Sequence, residues 1–278
     1  MRVALKIAYE GRAFFGHQRQ PDARTVEGEC LRALEAAGIL RDPKEAFFRS
    51  ASRTDRGVSA LGNVIAFDSR LRPEAVVGAF NDRARDVWAW AIATVPPTFH
   101  PRHAVDRWYR YHLPGDVPLE PLRNAANLFE GEHDFRSFTS NPPTRPMTID
   151  AVAVARDQGM VLVDVRAQSF RRGMVRRIVS AMVACAEGRT SPGEIADSLR
   201  GHRRDFGMAR PEGLVLMDVH YEFPFQVVST GKARDEWHAT SWDAQLRVRF
   251  GTAVLKILES GRGIQQSNPD GPVHHRSS

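Results

Sequence analysis

From Val3 to Tyr9 the apolar side chains Val3, Leu5, Ile7 and Tyr9 alternate with their neighbours, the two-residue period of a half-buried strand, so a strand is expected to open the fold. The period then changes. After Thr25, a residue suited to cap a helix, Val26, Cys30, Ala33, Leu34 and Ala37 recur at helical spacing until Gly38, which is placed to end the helix. Short strands are expected near Ala46 to Arg49 and Asn63 to Phe67, a helix from about Pro73 to Arg85, and a strand from Val87 to Val95. The order is βαββαβ.

After Pro96-Pro97 the pattern starts again. A strand is expected at Trp108 to Leu113, a helix from about Pro118 to Phe129, strands at Ile149 to Ala155 and Val161 to Ala167, and a long helix from Arg172 to Glu187. Ser191-Pro192-Gly193-Glu194 reads as a capping box with proline at the first helical position, and that helix carries Ile195 and Leu199 before Gly201. Leu214 to Tyr221 closes as a strand. The second half is therefore βαββααβ, and the expected class is α+β, with two ferredoxin-like halves at residues 1–98 and 99–224. No residue-level repeat links them. A helical extension is expected over 225–260, where Glu236 to Glu259 forms one or two helices with Trp242, Leu246, Phe250, Val254 and Ile257 or Leu258 available for an apolar stripe. The glycine, proline, serine and histidine mix of 261–278 is that of a flexible tail.

Composition narrows the partner. With 278 residues at 42% hydrophobic, the chain can fill one large core or two ordinary ones, and disorder of the whole chain is excluded. Lys plus Arg is 39 against 33 for Asp plus Glu, a net charge of +6 with a pI near 9.8, which points to a polyanion and first of all to nucleic acid. Only Lys6, Lys44, Lys232 and Lys256 are lysine, but a GC-rich genome would give the same arginine bias, so the net charge alone carries weight. Cys30 and Cys185 fall among apolar helical neighbours, far from any second cysteine or histidine cluster, and read as packing residues rather than as a disulfide or metal site. No basic-then-apolar leader opens the chain, and no apolar run approaches the roughly 18 residues of a spanning helix. A cytoplasmic protein with no membrane partner is expected.

The chemistry is expected in the polar segment Ala51-Ser52-Arg53-Thr54-Asp55-Arg56-Gly57-Val58. A carboxylate between Arg53 and Arg56 should stay ionised, because nearby cations favour the charged form, and a loop leaves it within reach of a substrate. Alone, Thr-Asp-x-Gly is more often a surface turn in which the aspartate bonds its own backbone and the glycine supplies a positive φ.

The surrounding blocks decide between these readings. Arg53-Thr54-Asp55-x-Gly57-Val58, Tyr9-Glu10-Gly11, Phe15-Gly16-His17-Gln18-Arg19-Gln20, Thr25-Val26-Glu27-Gly28, Phe99-His100-Pro101-Arg102, Arg107-Trp108-Tyr109-Arg110-Tyr111, Gly131 to Phe138, Phe170 to Val179 and Pro211-Glu212-Gly213-Leu214 stand in one collinear order. Together they resemble the TruA family of RNA pseudouridine synthases over roughly Val3 to Tyr221. The resemblance implies the pseudouridine synthase fold, with the sheets of the two halves joined and the active cleft between them. It also implies isomerisation of tRNA uridines, most often at positions 38 to 40 of the anticodon stem-loop, by a homodimer that needs no metal or organic cofactor.

Carried over by position, the resemblance makes Asp55 the nucleophile and Arg176 its partner. Tyr109 would stack on the uracil and receive the proton that leaves C5. Tyr111, two residues on, is expected on the other face of the strand. Arg53 would take the space vacated by the extruded base, and Arg56, Arg171, Arg172 and Arg177 would meet RNA phosphates. Ser59 and Arg56 depart from the usual bacterial pattern and resemble archaeal and eukaryotic branches, which leaves the target positions open. The alternatives are a basic RNA-binding module without chemistry, a nucleoside or glycoside hydrolase, and a synthase acting on other tRNA or RNA sites.

Overall fold

The computed structural model describes residues 1–228 and 231–260. Its contacts divide the chain into two units, Met1–Val228 and Ser229–Ser278.

In the first unit, β1 (Arg2–Tyr9), α1 (Val26–Ala36), β2 (Arg49–Ser50), β3 (Ser59–Asp68), α2 (Pro73–Asn81) and β4 (Val87–Val95) follow in the expected βαββαβ order. Then come β5 (Asp106–Pro114), α3 (Leu119–Ala126), a hairpin of β6 (Gly131–His133) and β7 (Met147–Ile149), β8 (Ala151–Asp157), β9 (Met160–Ala167), α4 (Met174–Ala186), α5 (Pro192–Leu199), β10 (Leu214–His220) and β11 (Gln226–Val227).

Local chemistry explains the helix starts. The Thr25 hydroxyl accepts from the Gly28 N–H at 3.2 Å, and Ser191 and Glu194 form the reciprocal capping box with Pro192 at the first helical position. The strand expected at Ala46 to Arg49 is instead a turn followed by the two-residue β2. Phe47 takes φ 47° and its N–H donates to Lys44 O at 3.1 Å, so the chain reverses where an apolar run had suggested extension.

One nine-stranded sheet runs through both halves in the order β11-β4-β1-β3-β10-β5-β9-β8, with β2 pairing β3 off this path. Its neighbours are antiparallel except at the join, where β10 lies parallel to β3 through Val215 opposite Ser59 and Leu216 opposite Ala60. β1, flanked by β3 and β4, is buried along nearly its whole length rather than on one face. Even Lys6 is enclosed there, paired with Asp218 of β10 and 5.1 Å from the Phe225 ring centre. β5 keeps a strict alternation, with Arg107, Tyr109, Tyr111 and Leu113 buried and the residues between them half-buried.

Among the described residues the second unit contains one helix, α6 (Gly231–Ser260), where one or two were expected. Trp242, Leu246 and Phe250 of the expected apolar stripe are exposed. The tail expected at 261–278 lies outside the described residues. Among the described residues no helix is long and apolar enough to cross a membrane.

Candidate active site

Asp55 lies in the loop between β2 and β3, and the turn chemistry of that loop is present. Val58 N–H donates to Asp55 O at 3.1 Å, and Gly57 takes φ +86°, a left-handed backbone conformation open to glycine without cost. The turn is pinned down rather than solvated. Asn63, fully buried on β3, donates to Ser52 O at 3.0 Å and accepts from Ser52 N–H at 3.2 Å, while the Tyr9 hydroxyl and the Thr54 hydroxyl stand 2.9 Å apart. From the other side Gly11 presses on the loop so closely that a Cβ there would stand 2.4 Å from the Val58 carbonyl.

Across from the loop is the start of α4. Arg176 sits in its first turn with its side chain 10% exposed, and its Nη1 donates to Asp55 Oδ2 at 3.0 Å while its Nε donates to Ala209 O at 2.7 Å. Arg172 Nε stands 3.8 Å from Asp55 Oδ1. The carboxylate thus meets two guanidiniums, and it does so beside the first turn of a helix, where the backbone dipole is positive.

Tyr109 on β5 is buried, and its ring meets Phe170 edge-on with centroids 5.2 Å apart. Burial pushes its hydroxyl up to about 12, against the opposing pull of the Arg107 charge and a hydrogen bond with the Ser52 side chain. The negative charge of Asp55 adds to the rise, so the two groups feel one another. Tyr111 shares this buried face instead of pointing the other way, because residues two apart on a strand project to the same side. Its hydroxyl donates to Arg210 O at 2.8 Å, in the segment that leads into β10.

A protein of Pyrococcus furiosus named tRNA pseudouridine synthase A is 46% identical over 231 residues, 80% of this chain and 84% of that protein. The chain belongs to the tRNA pseudouridine synthase A family. Proteins with the same name from Thermococcus onnurineus (43% identical, covering 80% of this chain and 85% of that one) and Methanococcoides burtonii (38%, covering 93% and 96%) extend the match. The family profile described as tRNA pseudouridine synthase matches residues 125–222. The mixed sheet-and-helix architecture agrees with the α+β class and the pseudouridine synthase fold expected from the sequence.

Other residues singled out in the sequence stand around Asp55, Arg176 and Tyr109 in different states. Arg53 is exposed and lines a cavity with Arg49, His100 and Arg102. The Arg56 guanidinium lies 4.2 Å from the Phe15 ring centre, a cation–π contact. Arg171 is exposed, whereas Arg177 is bound to Asp205 at 2.9 Å and its buried Nε has no partner among the described residues. His17 is buried beneath the loop; its N–H donates to Thr54 O at 3.0 Å, but neither ring nitrogen has a partner among the described residues. Burial, then the Arg53 charge, lowers its imidazole to about 4.

Sequence reasoning missed Arg107. Its buried guanidinium donates from Nε to Ser52 Oγ at 3.1 Å and from Nη2 to Arg102 O at 2.9 Å and Ala51 O at 3.4 Å, and it also bonds Gln168 O. One side chain therefore ties the Asp55 loop to β5 and to the segment before Phe170. The alternation on β5 held the signal, since a cation two residues before Tyr109 had to share its buried face.

Proposed function

We propose that this chain isomerises uridine to pseudouridine in the anticodon stem-loop of tRNA, most often at positions 38 to 40, with Asp55 as nucleophile. Membership of the tRNA pseudouridine synthase A family makes it an isomerase acting on tRNA uridine. The observation that carries the residue assignment is the ion pair of Asp55 with Arg176, residues 121 apart in sequence, beside a buried tyrosine that senses the Asp55 charge.

The reaction breaks the bond from N1 to C1′, turns the freed uracil and forms a bond from C5 to C1′; C5 loses a proton and N1 gains one, so atoms and electrons balance without an oxidant. A carboxylate held by two guanidiniums can assist departure of the base and then leave again. The Arg176 fork fixes its direction, because the same guanidinium is anchored on the Ala209 carbonyl. The Tyr109 ring offers an aromatic face to the uracil; its hydroxyl, kept protonated by burial, takes the C5 proton only as it hands its own on, and the Ser52 side chain to which it is hydrogen-bonded stands in place to receive it. Extracting a stacked uridine costs a few kcal/mol, which Arg53 offsets by filling the gap. Arg56, Arg171 and Arg172 supply phosphate contacts, and Arg177 would join them by giving up Asp205. The same reading carries a homodimer in the cytoplasm, for which sedimentation of the pure protein is the check.

The test is to incubate unmodified tRNA with the protein or with Asp55→Ala and map pseudouridine by carbodiimide-dependent reverse-transcription stops. New stops in the anticodon arm are expected for the wild type and none for the variant, with binding retained. Release of free uracil would mean hydrolysis, and inactivity of both proteins would mean a binding module.

A further inference from the structure

We infer that a second anion site lies beside the catalytic loop: the cavity lined by Arg49, Arg53, His100 and Arg102 takes a backbone phosphodiester of the RNA strand. The inference rests on the RNA-modifying reading above and adds a subsite to it.

The cavity, about 280 Å³, gathers residues from four places: Glu27 of α1, Arg49 and Ser50 of β2, Arg53 of the Asp55 loop, and His100 and Arg102 of the connection between β4 and β5. Many of the chain's arginines are spent on carboxylates, as in Arg24 with Asp86, Arg110 with Asp164 and Arg177 with Asp205. Among the described residues Arg49, Arg53 and Arg102 form no such pair, although they converge on one space. Its only carboxylate, Glu27, is engaged: Oε2 accepts from the Arg19 N–H at 2.9 Å. Three guanidiniums against one occupied carboxylate leave an excess of positive charge that a phosphate would neutralise.

His100 makes the site more than a patch of charge. Its Nδ1 accepts from the Arg102 N–H at 3.2 Å, so in the neutral ring the proton sits on Nε2, a donor free for a phosphate oxygen. Burial first, and then His103, Arg102, Arg49 and Arg2, push the imidazole below its ordinary value, which favours the neutral ring. A phosphate oxygen can accept from Nε2–H of this neutral ring while Nδ1 still holds the Arg102 N–H. Arg102 also lines a neighbouring cavity of about 370 Å³ with His103, Ala104, Gln168 and Ser169, and Ser169 precedes Phe170, whose ring meets that of Tyr109.

The test measures binding of an unmodified tRNA transcript by full-length Asp55→Ala protein across a KCl series. In that background R49Q/R102Q should weaken binding and make the log–log salt slope shallower by about 1, the signature of one lost phosphate contact, and R102K should keep the parent slope. H100F, which removes the Nε2–H donor, should weaken binding severalfold, and H100Q, which keeps a side-chain donor, should restore part of it. A slope equal to the parent's, or binding by H100F equal to the parent's, overturns the inference. Should the double variant fail to fold, R102Q alone, at an exposed position, gives the same reading. Pseudouridine formation by the wild type on the same transcript separates the two claims. No product with a reduced slope removes the catalytic reading and keeps the subsite; normal product with an unchanged slope does the reverse.

Discussion

Arg176 holds Asp55 from a distance of 3.0 Å while its Nε is fixed on the Ala209 carbonyl, so one guanidinium both pairs with the carboxylate and sets its position against the second half of the sheet. A lysine would keep the charge but not the fork. R176K should therefore lower kcat ten- to hundredfold, about 1.4–2.7 kcal/mol in the barrier, with tRNA affinity changed only a fewfold. Single-turnover assays with saturating enzyme measure this, and a rate within twofold of wild type would remove the positioning role.

Tyr109→Phe keeps the ring and loses the hydroxyl, so binding should persist while pseudouridine formation falls by at least about 10², the low end for general acid–base groups. The phenols give a further check. Burial is the first cause raising Tyr9, Tyr109, Tyr111 and Tyr221 alike, so the native chain keeps protons that the unfolded chain releases near its ordinary value of 10.0. The native state binds the extra protons, so this contribution to stability is full below pH 10 and is lost as pH rises above it. Ultraviolet titration should show no phenolate at about pH 10 until the chain unfolds.

His17 works in the opposite pH range. Its imidazole is lowered from 6.5 to about 4, so between those values the unfolded chain binds a proton that the native chain refuses. Its contribution is full above pH 6.5 and falls, by up to about 3 kcal/mol, as pH drops toward 4. His17→Phe should flatten the acid side of a denaturant-stability profile, and an unaltered profile would refute the assignment.

Gly11→Ala tests the packing under the Asp55 loop. A Cβ 2.4 Å from the Val58 carbonyl has no flexible side chain to displace, so the loop itself must move. Activity should fall at least tenfold with the fold retained, since small misplacements of a reacting group are costly. Equal activity would mean that the loop tolerates the shift.

What the sequence made legible is what local chemistry decides. Thr25 and Ser191 cap helices with their own side chains, and the alternation on β5 survives folding unaltered. The hairpin of β6 and β7 escaped because three residues per strand are too few to show a period. The turn at Phe47 escaped because an apolar triplet carries no sign of a backbone reversal. Within the site, Asp55, Tyr109 and Arg176 were singled out by resemblance, since no spacing rule could join residues 121 apart. Arg107 needed only the two-residue period of its own strand, yet what it clamps is set by three separate loops.

The parallel contact between β3 and β10 has a temporal meaning. Leu216 is the partner of Ala60 and stands opposite Tyr109, so the last long strand of the first unit is the piece that seats both sides of the cleft. During synthesis the first half can pair β1, β3 and β4 early, but the wall that carries Tyr109 has no neighbour on that side until residues near 220 have left the ribosome. The two walls are therefore brought to their spacing only when that strand is in place.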